Sequence, residues 1–169
     1  MNPPLHQLVA TSSEVMRPTF VEVNQTRIVA NLRAIRAAVG QSKVMGIVKA
    51  NAYGHGIIEI ARLLERQGID MLGVAFLEEA VLLREHGVQS PILVFGGIAA
   101  DQIPLFLKEN LSFTASSVEK LQLIDEAAAA LKVRAKVHLK IDTGMERIGV
   151  HYYSAGKLLE AALQCRHCD

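Results

Sequence analysis

Short apolar runs alternate with amphipathic stretches along most of this chain, and no other feature limits its fold as much. The runs at 43–49, 71–75, 92–95, 111–115 and 135–141 read as buried strands. Between them, 57–67, 77–86, 101–109 and 118–131 carry apolar residues at helical spacing. The strand starts fall 28, 21, 19 and 24 residues apart. That is the rhythm of consecutive βα units, and it predicts a parallel sheet with helices outside. Ahead of these units, residues 19–24 alternate like a strand, and Asn24 is placed to cap a helix that runs to Val39 and stops at Gly40. A last helix is expected at 154–164, and residues 1–17, with no sustained period, read as a loose leader.

Two architectures share this rhythm, a doubly wound open sheet and a (β/α)8 TIM barrel. In both, chemistry gathers at the carboxyl ends of the strands. A barrel takes eight units and usually about 250 residues. Five units in 169 residues predict either a complete open sheet or part of a barrel. Composition narrows the partners. With 18 Lys+Arg against 17 Asp+Glu there is no global field to recruit nucleic acid or an anionic membrane. No apolar run approaches the roughly 18 residues of a membrane span. The N-terminus lacks the basic flank and apolar block of a secretory signal, and both cysteines fall in one four-residue stretch, so a reducing cytoplasm is expected.

The first of the strong apolar runs ends in VKANAYGHG, 48–56. A lysine at the carboxyl end of a buried strand stands on the working rim, where partial desolvation favours a neutral amine able to form a Schiff base with a carbonyl. Tyr53 adds a phenol one turn away, and Gly56 opens a helix whose N-terminus attracts anions. Together they suit an aldehyde that carries a phosphate, as pyridoxal phosphate does.

VKANAYGHG resembles the cofactor-lysine signature of the alanine racemases, pyridoxal-phosphate enzymes with a (β/α)8 barrel followed by a β-rich C-terminal domain. The segment KIDTGMERIGV, 140–150, is similar to the family's stretch at the end of the fifth barrel strand. RPTFVEVN, 17–24, matches the strand that leads into its first helix. The resemblance runs from about Arg17 to Asp169, and two long motifs about ninety residues apart make it specific.

The resemblance implies that Lys49 holds pyridoxal 5'-phosphate and serves as one of two bases at the substrate α-carbon. Tyr53 would donate a hydrogen bond to the cofactor phosphate. Arg147 would lie near the cofactor's phenolic oxygen and bind the substrate carboxylate. Lys140 matches a position often carbamylated in the family. The reaction implied is the racemisation of L-alanine to D-alanine for cell-wall supply, in a cytoplasmic homodimer. The second base, a tyrosine of the partner subunit's C-terminal domain, falls outside this chain, as do the last three barrel strands. The expectation is therefore a partial barrel domain, 18–169, inactive by itself. Serine or broad-specificity racemisation, and a non-catalytic cofactor-binding barrel, are the alternatives.

Other residues carry weaker signals. Cys165-Arg166-His167-Cys168 has the C-x-x-C spacing of a redox or zinc site, but one pair without a second assigns nothing, and no metal is expected. His55 reads as a turn stabiliser, His86 and His138 as structural, and Gly96-Gly97 as a plain turn. Leu121, Leu123, Ile124 and Leu131 read as one helix's core face.

Overall fold

The computed structural model describes residues 21–169. The expected leader and the start of the strand predicted at 19–24 lie outside the described residues. Residues 21–24 enter the first helix without regular structure. In that helix, α1 (Gln25–Val39), the Asn24 carboxamide oxygen accepts the Arg27 amide at 3.1 Å, and Gly40 closes the far end at φ 60°.

Five strands follow: β1 (Met45–Ile47), β2 (Met71–Val74), β3 (Ile92–Val94), β4 (Ser112–Ala115) and β5 (Lys136–Leu139). They pair in parallel and in strict sequence order. Helices α2 (Ile57–Arg66), α3 (Leu77–Glu85), α4 (Ile103–Lys108) and α5 (Val118–Leu131) connect successive strands. After β5 come a short parallel pair, β6 (Ile141–Asp142) with β7 (Val150–His151), and helix α6 (Ala155–Gln164).

Strand order decides between the two architectures. A doubly wound sheet reverses its order at a switch point. Strands added in sequence through right-handed crossovers curl one way and keep every helix on one face. The fold is α/β, the N-terminal five units of a TIM barrel. The order continues past β5: the Ala135 and Val137 amides each donate at 2.8 Å to the carbonyls of His167 and Asp169, which take the sixth place in the sheet.

The two faces of the sheet differ in kind. A Cβ on Gly46 would meet Leu64 of α2, so that face looks to the helices, and there Leu72, Val74, Ile92, Val94 and Phe113 are buried. The opposite face carries the register row Ile47, Gly73, Leu93, Ser112 and Lys136, which turns polar toward β5. A recurring staple locks the units together at the other ends of the strands. Arg36 of α1 donates to the Gln67 and Gly68 carbonyls after α2, at 2.7 and 2.6 Å. Arg62 of α2 reaches the His86 carbonyl after α3 at 2.6 Å, and Arg84 of α3 reaches the Glu109 carbonyl after α4 at 3.1 Å. Each guanidinium satisfies helix-end carbonyls of the next unit, where the helix dipole also favours a cation.

Three predicted boundaries move, for local reasons. The strand expected at 43–49 ends at Ile47, because the chain turns left-handed just after Lys49. The helix expected at 101–109 opens as a 3-10 turn, Ala100–Gln102, ahead of Pro104. The strand expected at 135–141 breaks at Lys140. Its amide donates to Ala115 in the sheet at 2.8 Å, while its carbonyl accepts the Val150 amide at 3.0 Å.

The rings of Phe106 (α4) and Phe113 (β4) stack with centroids 4.6 Å apart, both essentially sealed from solvent. Phe113→Ala is expected to cost about 3–5 kcal/mol of stability, read as a lower urea midpoint at unchanged slope.

Candidate active site

Immediately after β1 the backbone does something unusual. Ala50, Asn51, Ala52 and Tyr53 all hold positive φ, 51°, 55°, 52° and 54°, forming one left-handed turn that Gly54 ends at φ 87°. Left-handed helix costs L-residues roughly 1–2 kcal/mol each, so such a turn persists only where its surroundings over-determine it. Here three side chains do so. Glu79, in the first turn of α3, accepts the Ala50 amide with Oε1 at 2.6 Å and the Ala75 amide with Oε2 at 2.8 Å. Asn51 Oδ1 accepts the Ile57 amide at 2.9 Å. His55 Nδ1 pairs with the Ala52 carbonyl at 2.9 Å, the structural part its position in the turn suggested.

The Asn51 cap corrects one expectation. The first amide of α2 is already taken by a side chain within the same motif, and neither Gly54 nor Gly56 lines the cleft described below. The helix N-terminus is thus not the open anion site that the sequence suggested.

The second motif forms a loop between β6 and β7. Asp142, buried at its base, accepts the Gly144 amide at 2.9 Å. The amides of Gly144, then Glu146, and also Met145 and Arg147, hold the Asp142 carboxyl below the usual carboxylate range against the opposing effect of burial. Gly149 closes the loop at φ 121°, where a Cβ would lie 2.8 Å from the Lys140 carbonyl oxygen. Only glycine fits there.

These two segments meet. Lys49, Tyr53, Lys140 and Arg147 line one open cleft of about 690 Å³ at the carboxyl rim of the strands, over a floor of Ile47, Phe95 and Thr114. Lys49 is half-buried, and its Nζ lies 6.0 Å from the centre of the exposed Tyr53 ring, at the outer limit of cation–π contact. Lys140 and Arg147 are exposed. Thr114 is buried and donates its hydroxyl to the Val94 carbonyl at 2.6 Å. No carboxylate is among the described residues that line the cleft, so it can take an anion without neutralising a carboxylate first. The sequence reading missed Glu79 and Asp142. Asp-Thr-Gly carries a local turn signal that could have revealed Asp142. Glu79 acts on an amide 29 residues away and left no such trace.

What fold and cleft define is a class, TIM-barrel proteins whose amine, phenol and guanidinium groups converge at the carboxyl rim. The family profile described as "Alanine racemase, N-terminal domain" matches residues 23–169. Alanine racemase 2 of Caldanaerobacter subterraneus subsp. tengcongensis is 45% identical over 135 residues, covering 79% of this chain and 35% of the relative. The solved alanine racemase of Clostridium difficile 630 superposes with a TM-score of 0.83 at 35% identity, covering 92% of this chain and 42% of that one. A histidine racemase from Leuconostoc mesenteroides subsp. sake superposes at 0.78 with 30% identity, covering 85% of this chain and 39% of that one. The chain belongs to the alanine racemase family, and it spans about two fifths of the length of these relatives. No described helix is long and apolar enough to cross a membrane.

Two outcomes test how the site is held. Glu79→Ala strips the acceptor from three backbone amides, those of Ala50, Ala75 and Phe76, and is expected to cost about 1–3 kcal/mol, with faster hydrogen exchange at the Ala50 amide. Asp142 titrates lower when folded than unfolded, so its contribution is complete above the unfolded value of about 4 and vanishes as pH falls through the folded one. Urea unfolding is expected to show Asp142→Asn less stable than the parent at neutral pH, with the gap closing on acidification below about pH 4.

Proposed function

We propose that this chain is the cofactor-lysine portion of a pyridoxal-phosphate-dependent racemase that interconverts L-alanine and D-alanine. One observation carries the reading. Side chains from two motifs about ninety residues apart, Lys49 and Tyr53 from one and Lys140 and Arg147 from the other, line the same carboxylate-free cleft. The donor set fits pyridoxal phosphate: a primary amine for its aldehyde, a phenol and further cations for its anionic groups, and an apolar floor for its ring.

Lys49 Nζ would hold the cofactor covalently, and Tyr53 would donate its hydroxyl to the phosphate. When bound, the cofactor supplies an electron sink for the charge left at the α-carbon by proton loss. Arg147 would grip the substrate carboxylate through its planar fork and turn the α-carbon toward Lys49. Lys49 Nζ would move the α-proton on one face. Inversion needs a second acid/base group on the other face, which we assign to a tyrosine of the partner subunit in a homodimeric whole protein. Lys140, which shares the cleft with Arg147, would carry a carbamate that turns an amine into an anion near the guanidinium. The whole protein would complete the barrel beyond 18–169, add a β-rich domain and work in the cytoplasm, supplying D-alanine for the cell wall.

The Leuconostoc enzyme keeps a second reading in view. A relative named for histidine shares this half of the fold at nearly the identity of one named for alanine, which supports a different or broader amino-acid range.

Incubation with pyridoxal phosphate and reduction with borohydride is expected to fix a phosphopyridoxyl group on Lys49, located by peptide mass spectrometry. In the whole protein, Lys49→Ala is expected to abolish racemisation. Arg147→Ala is expected to lower kcat/KM by about 10- to 100-fold, the worth of ~1.5–3 kcal/mol in a charge-assisted pair. Label on Lys140 in place of Lys49, or racemisation that survives Lys49→Ala, would overturn the assignment.

A further inference from the structure

The C-x-x-C stretch that sequence alone could not assign acquires a third donor from the fold. Cys165 ends α6 and Cys168 sits on the strand-like segment beside β5, while Asp125 projects from α5. The two sulfurs and one Asp125 carboxylate oxygen all lie within 4.8 Å of one another. His167 Nδ1, 3.9 Å from Asp125 Oδ1, is buried with no hydrogen-bond partner, the one such side-chain atom among the described residues. We propose that Cys165, Cys168 and Asp125 form a three-donor binding site for a thiophilic divalent cation of the zinc type, with the fourth position left to solvent or an added ligand.

Geometry and chemistry agree. Tetrahedral zinc with sulfur at about 2.3 Å and oxygen at about 2.1 Å spaces its donors roughly 3.5–3.8 Å apart, so shifts of about an ångström close the present cluster onto an ion. The ligand backbone is already fixed. The Ala135 amide donates to the His167 carbonyl at 2.8 Å, and the Asp169 amide donates to the Ala135 carbonyl at 2.7 Å. Arg134 donates to the Arg166 and Cys168 carbonyls at 2.9 and 3.0 Å. The His167 amide in turn donates to Asp125 Oδ1 at 2.7 Å, tying the carboxylate to the same loop. An open groove of about 440 Å³ between α5 and α6, lined by Asp125, Glu126 and Cys165 among others, gives an ion an acidic entry.

A redox role fits these surroundings poorly. Reactive thiols lie near cations or helix N-termini. Here Cys165 follows a helix C-terminus, and the Asp125 carboxylate stands beside both sulfurs. In the ion-free chain the Cys165 thiol donates to the Ala161 carbonyl at 3.4 Å. Binding breaks that contact, both thiols release their protons to solvent, and each sulfur gives a lone pair to the cation without change of oxidation state. The ion would tie α5 to the loop that leads into the sixth strand position, some distance in sequence from the Lys49 cleft.

The test is titration of the full, freshly reduced chain with cobalt(II) and then zinc(II). The expected result is one ion per chain after desalting, a thiolate-to-cobalt charge-transfer band, and its displacement by zinc. Cys165→Ser and Cys168→Ser should each abolish the band, and Asp125→Asn should weaken binding. As a check that needs no variant, zinc should protect both cysteines of the parent chain from alkylation, read peptide by peptide. The proposal falls if no such band forms, if the band survives in both serine variants, or if zinc leaves alkylation unchanged. It also falls if the purified chain carries a Cys165–Cys168 disulfide and takes up no metal after reduction.

Discussion

Burial of one face of a parallel sheet under its connecting helices is the constraint on which the rest of this molecule depends. Leu72, Val74, Ile92, Val94 and Phe113 are sealed on that side with Leu83, Phe106 and Ile124 from the helices. Because all five strands run the same way, their carboxyl ends form one rim and their amino ends another. The arginine staples of α1, α2 and α3 hold the far rim. The near rim is thereby left to the segments that carry Lys49 and Arg147.

Strain concentrates on that near rim. A left-handed turn of four non-glycine residues stands next to Lys49, and the groups that hold it come from its own motif and from the neighbouring unit through Glu79. The β6–β7 loop is organised in the same way, around the buried Asp142 carboxylate and a glycine that admits the Lys140 carbonyl. In both places a carboxylate accepts backbone amides and so fixes where a cationic side chain stands. Strain of this kind marks functional sites, because a rigid, pre-set geometry is what chemistry needs.

The Asp125–Cys165–Cys168 cluster is a different kind of arrangement. It lies where α5, α6 and the segment beside β5 come together, and it brings soft donors to the edge of the apolar core. An ion there would cross-link α5 to the segment beside β5.

The sequence by itself determined the five-unit rhythm, the parallel sheet, the helix cap at Asn24 and the two motifs whose Lys49, Tyr53, Lys140 and Arg147 line the cleft. Each leaves a local signature: a burial period, a capping side chain, or a motif in which neighbours along the chain serve one purpose. Between the two architectures that periodicity left open, tertiary structure decided for the barrel that the resemblance implied, with strands that follow one another in order. It also decided that Ala50–Tyr53 turn left-handed, that Lys140 breaks the fifth strand, and that Glu79 from the next unit holds the turn. Asp125 meets the cysteine segment across some forty residues, as Glu79 meets Ala50 across 29. Local pattern reports which face of an element is buried. Which distant side chain arrives at a given amide or sulfur is fixed only when the packed units bring them within hydrogen-bonding range.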